Sequence, residues 1–235
     1  MAFYCKILFF CGILMTAINP TLQRCCAQLP TIVKETKTYC NSIANDSYKP
    51  MIEVRTAIPG VEYDLRYATR SNFTGEKLYK SGKYTFLRSA VIEALMSVQE
   101  ELRQKKLTLK IFDAYRPYTV TKKMWGLIHD ERYVADPSKG SGHNRGIAVD
   151  LTIADASTGK ELNMGTDFDN FTDTAHQTFK YLPATVLENR MLLKNLMEQY
   201  GFKALETEWW HYSWPNNHNY EVLDIDFKKL KKACH

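Results

Sequence analysis

Two short segments carry residues whose types could perform metal chemistry. The first is Ser141-Gly-His143-Asn-Arg-Gly-Ile-Ala-Val-Asp150, and the second is Glu208-Trp-Trp-His211. Together they offer two histidines, an aspartate and a glutamate. Two histidines and one carboxylate are a usual ligand set for catalytic zinc, which keeps a fourth position open for water. The remaining carboxylate could then accept a proton from that water.

The spacing within these segments leaves the ligand assignment open. His143 and Asp150 are seven residues apart, so one straight strand would direct them to opposite faces. Neighbouring glycines allow a turn, which would place His143 on a loop and Asp150 on a strand. Glu208 and His211 are three residues apart, which suits one helical face or a bulged strand end. Each residue also has an ordinary structural interpretation, such as an exposed loop histidine or a turn-capping aspartate.

The sequence around these segments predicts the elements that would position them. Alternation of apolar and polar residues predicts strands, and apolar residues at three- and four-residue spacing predict amphipathic helices. We expect strands at 52–58, 107–115 and 147–153, helices at 88–105, 119–130 and 189–200, and an extended aromatic segment at 202–214. With no repeat and no internal linker, this pattern predicts a single α+β domain.

Composition excludes several other classes of protein. The chain has 235 residues, of which 45% are hydrophobic and 24% charged, as is usual for a globular protein. These values exclude a disordered tail, a collagen and a small disulfide knot. The formal net charge of +5 is spread along the chain, so we expect no nucleic-acid partner.

The N-terminus has the pattern of a secretory signal. Lys6 and Arg24 flank an uncharged segment whose apolar core, residues 7–18, is twelve residues long, fewer than the roughly 20 that a membrane-spanning helix needs. We therefore predict a signal peptide at 1–27, cleaved after Ala27, with export to the periplasm or cell envelope. A lipid anchor at Cys25 and a buried core helix are the alternatives.

Export also bears on the remaining cysteines. Cys40 and Cys234 follow the predicted signal, and in an oxidising compartment they could form one disulfide or remain two unrelated thiols. Residues 28–50 are polar and irregular, and we expect them to lead onto the domain formed by 51–235.

Several motifs in register resemble one enzyme family. Ser-x-His-x-x-Gly-x-Ala-x-Asp at 141–150 and Glu-x-x-His at 208–211 resemble the zinc D-alanyl-D-alanine dipeptidases, which are related to zinc D,D-carboxypeptidases and to the hedgehog signalling domain. Three further segments resemble family motifs in the same order along the chain: Asp64-Leu-Arg-Tyr67-Ala-Thr69 with Asn72-Phe-Thr-Gly75, Asp113-Ala-Tyr-Arg116-Pro117, and Met164-Gly-Thr-Asp-Phe168-Asp169.

The resemblance implies a fold and a set of residue roles. The fold would be a hedgehog/D,D-peptidase-like domain with a central, mostly antiparallel sheet flanked by helices, and 51–235 would be the catalytic domain. The implied ligands of one Zn²⁺ per subunit are His143, Asp150 and His211. Glu208 would be the general base and later the acid, and Arg116 would polarise the scissile carbonyl. The implied residues that bind the substrate's free amino end are Asp169, Ser141 and Tyr67.

The implied activity is hydrolysis of D-alanyl-D-alanine and similar D,D-dipeptides to free D-alanine. A zinc D,D-carboxypeptidase or endopeptidase acting on peptidoglycan peptides would use the same metal chemistry in a more open cleft. A non-catalytic zinc-stabilised binding module is a third hypothesis, although a structural zinc site needs neither Glu208 nor Arg116. The expected partner is a small dipeptide, with no membrane span.

Overall fold

The structure is a computed structural model that describes residues 30–233. The predicted signal peptide, the alternative lipid site Cys25 and the C-terminal Cys234 lie outside this range. The strands are β1 (Ile32–Val33), β2 (Met51–Glu53), β3 (Glu62–Tyr63), β4 (Phe86–Arg88), β5 (Leu107–Asp113), β6 (Ala148–Asp155), β7 (Lys203–Leu205), β8 (Glu208–Ser213) and β9 (Val222–Leu223). The helices are α1 (Thr36–Ile43), α2 (Val54–Ala57), α3 (Ser89–Gln104), α4 (Tyr118–Leu127), α5 (Gly142–Arg145), α6 (Ala184–Gln199) and α7 (Phe227–Lys231).

A five-stranded sheet forms the centre of the molecule, in the order β3-β5-β6-β8-β7. β3 pairs with β5 in parallel, and the other three pairings are antiparallel. Two-stranded pairs β1-β9 and β2-β4 lie outside this sheet. The predicted α+β fold with a mostly antiparallel sheet is therefore confirmed.

Two long helices cover part of the sheet. α3 packs against β5, α6 packs against β7 and β8, and the two helices also contact each other. Of the apolar stripe of α3 predicted from the sequence, Val91, Leu95, Val98 and Leu102 are at 0% exposure, while Ala94 is half-buried. Burying such side chains contributes roughly 1.5–3 kcal/mol each. This layer fixes the strands that carry the polar residues of the motifs.

The predicted strand at 52–58 is wrong in its second half. β2 ends at Glu53, and α2 follows at once. The Glu53 carboxylate accepts hydrogen bonds from the backbone N–H of Thr56 at 2.8 Å and from the Tyr63 hydroxyl at 2.8 Å. This cap starts a helical turn, and apolar alternation alone gives no indication of it.

The segment 28–50 also differs from the irregular leader that we expected. Within its described part, β1 pairs in parallel with β9, and α1 forms an eight-residue helix. Tyr39 on α1 is 2% exposed, and its hydroxyl accepts a 2.7 Å hydrogen bond from the backbone N–H of Met51. Contacts with residues distant in sequence order this segment, and local composition does not reveal them.

A buried arginine ties this segment to the region of the motifs. Arg88 is 0% exposed, and its guanidinium donates to the carbonyl of Lys49 at 2.6 Å and to that of Arg145 at 2.7 Å. It also pairs with Glu221 at 3.2 Å. Arg145 is the last residue of α5, so this side chain anchors the short helix that carries His143.

Two further observations concern the described residues. Cys40 is disulfide-bonded, while its predicted partner Cys234 lies outside the described range. None of the helices within 30–233 has the length and apolar character needed to cross a bilayer.

Candidate metal centre and cleft

The structure brings His143, Asp150 and His211 together in one cluster, with a ligand atom of each within 4.8 Å of the others. His143 Nε2 lies 3.2 Å from His211 Nδ1 and 3.4 Å from Asp150 Oδ2, and His211 Nδ1 lies 2.8 Å from Asp150 Oδ1. His143 and Asp150 are each 3% exposed. The three residues lie on α5, β6 and β8, respectively.

A capped turn of helix presents His143. The Ser141 hydroxyl accepts a 3.0 Å hydrogen bond from the backbone N–H of Asn144, and the Asn144 side chain accepts one from the backbone N–H of Ser141 at 3.1 Å. The helix ends at Gly146, which has φ +71. A Cβ at that glycine would lie 2.5 Å from Met51 Sδ. Both the left-handed conformation and the close packing therefore require glycine.

A backbone carbonyl orients the His143 ring. Its Nδ1 lies 2.7 Å from the carbonyl oxygen of Ala114, at the end of β5. Because a carbonyl can only accept, Nδ1 must carry the hydrogen, which leaves the Nε2 lone pair directed at the cluster. We expected His143 on a loop, and it instead lies on the short helix α5.

Pairing of β6 with β8 positions the other two members. Asp150 and His211 are directly opposite each other in this antiparallel pair. Burial opposes ionisation of Asp150, but the two neighbouring histidines hold its pKa below the ordinary value. Burial lowers the pKa of His211, with Asp150 opposing that shift. An ionised carboxylate and a neutral imidazole are the forms that ligate metals.

The spacing of these three donor groups fits a divalent metal ion with nitrogen and oxygen ligands. Metal–ligand bonds of 2.0–2.1 Å in a tetrahedron place neighbouring donors about 3.3 Å apart. Two of the three separations between donor groups, 3.2 and 3.4 Å, match that edge, and the third, 2.8 Å between His211 Nδ1 and the other Asp150 oxygen, is shorter. The residues present therefore fit a metal site with three protein ligands.

Glu208 lies beside this cluster, at the start of β8. The pairing of β7 with β8 is irregular between Ala204 and Leu205, which agrees with a bulged strand end. Glu208 is 5% exposed, and its Oε2 lies 3.9 Å from His211 Nδ1. Burial and the nearby Asp150 and Asp169 charges raise the pKa of Glu208 well above its ordinary value. Such a carboxyl can accept a proton and hold it.

A buried ion pair holds Arg116 at the wall of the cleft. Its Nε and Nη2 donate to Asp113 Oδ2 at 2.9 and 2.8 Å, and Nη2 lies 3.6 Å from Asp150 Oδ2. The guanidinium carbon lies 5.1 Å from the centre of the Tyr67 ring. Although burial opposes it, the Asp113 charge raises the pKa of Arg116 further, so this group remains a cation.

Asp169 occupies a strained position in the same cleft. Its φ is +59, in the left-handed region that few residues other than glycine and asparagine or aspartate adopt. The Tyr67 hydroxyl donates to Oδ1 at 2.9 Å, whereas Oδ2 is buried without a hydrogen-bond partner among the described residues. Burial raises the pKa of Asp169 to about 7. An unsatisfied buried carboxylate oxygen is costly, and it marks a place for a cationic ligand group.

All eight site residues implied by the sequence border one cavity of about 210 Å³. They are Tyr67, Arg116, Ser141, His143, Asp150, Asp169, Glu208 and His211. Ser141 serves the fold as the cap of α5, a role that the Ser-x-x-Asn spacing indicates in hindsight. Sequence reasoning missed Asp113, although it lies in the same short motif as Arg116 and is 0% exposed.

The chain is similar in sequence to known dipeptidases over most of its length. A family profile described as D-ala-D-ala dipeptidase matches residues 47–230. The chain is 33% identical over 177 residues to a D-alanyl-D-alanine dipeptidase of Escherichia coli (strain K12), covering 75% of this chain and 91% of that protein. It is 30% identical over 173 residues to a D-alanyl-D-alanine dipeptidase of Enterococcus faecalis (strain ATCC 700802 / V583), covering 65% and 85%.

A solved structure of the LdcB LD-carboxypeptidase aligns over 89% of this chain and 97% of that one, with 17% identity and a TM-score of 0.38. The family assignment rests on the sequence matches. With the profile spanning most of the chain and relatives matched over most of their length, the chain belongs to the D-ala-D-ala dipeptidase family of metallopeptidases.

Proposed function

We propose that this protein hydrolyses D-alanyl-D-alanine and similar free D,D-dipeptides to D-alanine, with Zn²⁺ held by His143, Asp150 and His211. The observation that carries the proposal is the orphaned Asp169 oxygen in the same small cavity as the three donors and Glu208. When bound, zinc supplies a Lewis acid that polarises a peptide carbonyl and lowers the pKa of water to about 7.

Glu208 is the proposed proton carrier. Its raised pKa and its position next to the cluster suit a group that takes a proton from the attacking water. The same carboxyl then gives that proton to the nitrogen of the departing D-alanine. Because the Glu208 side chain is almost fully buried, the proton stays on the enzyme between the two steps.

Arg116 is the proposed stabiliser of the charge that develops on the carbonyl oxygen. It borders the cavity while Asp113 holds its Nε and Nη2. A guanidinium placed before reaction needs little reorganisation as negative charge appears, which favours the transition state over the bound substrate.

Asp169 is the proposed receptor of the substrate ammonium group. Its Oδ2 lacks a partner, and Tyr67 fixes its other oxygen. A free dipeptide brings an ammonium that satisfies the carboxylate. An N-acylated or longer peptide does not, and leaving a buried charge unpaired costs about 3–5 kcal/mol. This difference supports selectivity for free dipeptides over peptidoglycan stems.

The test is an amine-release assay on D-Ala-D-Ala, L-Ala-L-Ala and N-acetyl-D-Ala-D-Ala. We expect turnover of the first substrate only, lost with chelator and restored by zinc. Equal cleavage of the N-acetyl substrate would instead indicate a carboxypeptidase, and absence of chelator-sensitive turnover would indicate a zinc-stabilised binding module. Asp169→Asn should reduce the ratio of turnover of the free dipeptide to turnover of the N-acetyl substrate. Asp173→Asn changes a side chain that is 85% exposed and should leave this ratio unchanged.

We also propose that the protein works in the periplasm or cell envelope. The signal-like pattern at 1–27 supports export. The disulfide at Cys40 supports it independently, because disulfides persist mainly in oxidising compartments. Fractionation of cells that express the full chain, followed by mass measurement of the mature N-terminus, tests this proposal.

A further inference from the structure

The carboxylate that holds Arg116 is itself held from the other side. Asp113 is 0% exposed, and its Oδ2 accepts both bonds from the Arg116 guanidinium. Its other oxygen, Oδ1, accepts a 2.6 Å hydrogen bond from the Tyr79 hydroxyl. The carboxylate therefore has one oxygen for each partner, and its rotation would break both contacts.

The fold gives Tyr79 little freedom to move. The backbone N–H groups of Leu78 and Tyr79 both donate to the carbonyl of Tyr67 at 2.9 Å. The Tyr79 ring packs edge-on against Tyr67, with centroids 5.9 Å apart, and against Phe227, with centroids 4.9 Å apart. At 5% exposure, the side chain is anchored in the core, while its hydroxyl reaches the polar network.

A second carboxylate, that of Asp150, also lies near the Arg116 guanidinium. Arg116 Nη2 lies 2.8 Å from Asp113 but only 3.6 Å from Asp150 Oδ2. Asp113 and Asp150 are opposite residues of β5 and β6, so both carboxylates compete for one guanidinium. When the Asp113 carboxylate is fixed, the Arg116 guanidinium stays in its place at the cavity wall. If Asp113 could rotate, the guanidinium could move toward Asp150, a proposed metal ligand.

We propose that Tyr79 is a positioning residue that acts on Arg116 through Asp113. Its hydroxyl locks the rotation of the Asp113 carboxylate, which locks the guanidinium in the orientation that the proposed chemistry needs. This inference rests on the proposed role of Arg116 in hydrolysis.

A double-mutant cycle of Tyr79→Phe and Arg116→Lys tests the coupling in the full protein. Tyr79→Phe alone should lower kcat on D-Ala-D-Ala about tenfold, the loss expected for one hydrogen bond to a charged group, with KM nearly unchanged. In the Arg116→Lys background, the same change should have less than about a twofold effect, because coupled residues are not additive. A full tenfold loss in both backgrounds would overturn the inference.

The matched control is Tyr39→Phe, which also removes a buried tyrosine hydroxyl. Tyr39 bonds the backbone of Met51 and does not contact the Asp113 network. We expect this variant to lower the melting temperature while kcat stays within about twofold of the parent. Equal kcat losses in both variants would mean a general effect on stability, and the inference would fail.

An NMR measurement separates this inference from the proposed function. The Nε–H signal of Arg116, identified by its absence in Arg116→Lys, should exchange slowly with solvent in the parent protein. Tyr79→Phe should speed that exchange at least tenfold, whether or not D-Ala-D-Ala is the substrate. Unchanged exchange would refute the positioning role. Unchanged kcat in Arg116→Lys would refute the proposed role of Arg116 in hydrolysis. The exchange rate would still report whether Tyr79 positions the Arg116 guanidinium.

Discussion

Asp150 and His211 face each other across two neighbouring antiparallel strands, with Asp150 Oδ1 2.8 Å from His211 Nδ1. Asp113 continues the same row on the next strand, β5. Three polar residues thus cross the sheet side by side, although they are separated by 37 and 61 residues along the chain. Strand pairing places two candidate metal ligands and the anchor of Arg116 in one line, and it sets their separations.

Replacing His211, one of the candidate ligands in this row, should weaken metal binding strongly. His211→Ala leaves two protein ligands, and we expect metal affinity to fall by more than about 100-fold, beyond the loss typical of an outer-sphere change. Metal analysis after gel filtration measures it. His129→Ala removes an exposed histidine outside the cluster and should retain the full metal content. Full metal content in His211→Ala would exclude this residue as a ligand.

Glu208→Gln should separate proton transfer from metal binding. The amide keeps the size of the side chain but cannot accept the proton, so we expect kcat to fall about 10²–10⁴-fold. Metal content should stay at the parent level. The control is Glu206→Gln, two residues earlier and exposed, which should have parental kcat. Normal turnover by Glu208→Gln would rule out the proposed role of this carboxyl.

Asp169 should make the stability of the protein depend on pH. Burial raises its pKa to about 7 from the ordinary 3.8, so between these values the folded state binds a proton that the unfolded state has released. Stability therefore falls as pH rises from about 4 to about 7 and is level above that range. Asp169→Asn removes this loss, and asparagine also tolerates the positive φ.

The expected gain for Asp169→Asn is on the order of 1–4 kcal/mol at pH 8 and close to zero at pH 4. Urea unfolding at both pH values, with chelator present so that bound metal does not shift the titration, measures it. An equal change in the free energy of unfolding at pH 4 and pH 8 would contradict a raised pKa for Asp169.

Ser141 should have a structural role that can be separated from any contact with substrate. Its hydroxyl caps α5, so Ser141→Ala should lower the free energy of unfolding by about 1 kcal/mol. Ser141→Asn keeps a capping oxygen and should restore most of that stability while removing the hydroxyl from the cavity. If kcat/KM falls equally in both variants while the free energy of unfolding falls only in Ser141→Ala, the Ser141 hydroxyl also contacts the substrate.

Much of the secondary structure could be predicted from local pattern. The stripe from Val91 to Leu102 predicts α3, and alternation from Leu107 predicts β5, because solvent and core select residues at the period of each element. The short helix at Val54 and the ordered segment around Tyr39 could not be predicted this way. The first depends on the cap that Glu53 provides, and the second on the pairing of β1 with β9 and the burial of Tyr39.

The sequence by itself determined the family, the residue types of the site and the elements that carry them, because motifs and periodicity are local. Only the tertiary structure decided that His143, Asp150 and His211 meet at donor separations near those of a metal site. It also decided that Asp113 binds Arg116 and is itself hydrogen-bonded by Tyr79. The physical reason is strand register: pairing between distant segments sets which side chains become neighbours, and no short stretch of sequence encodes that pairing.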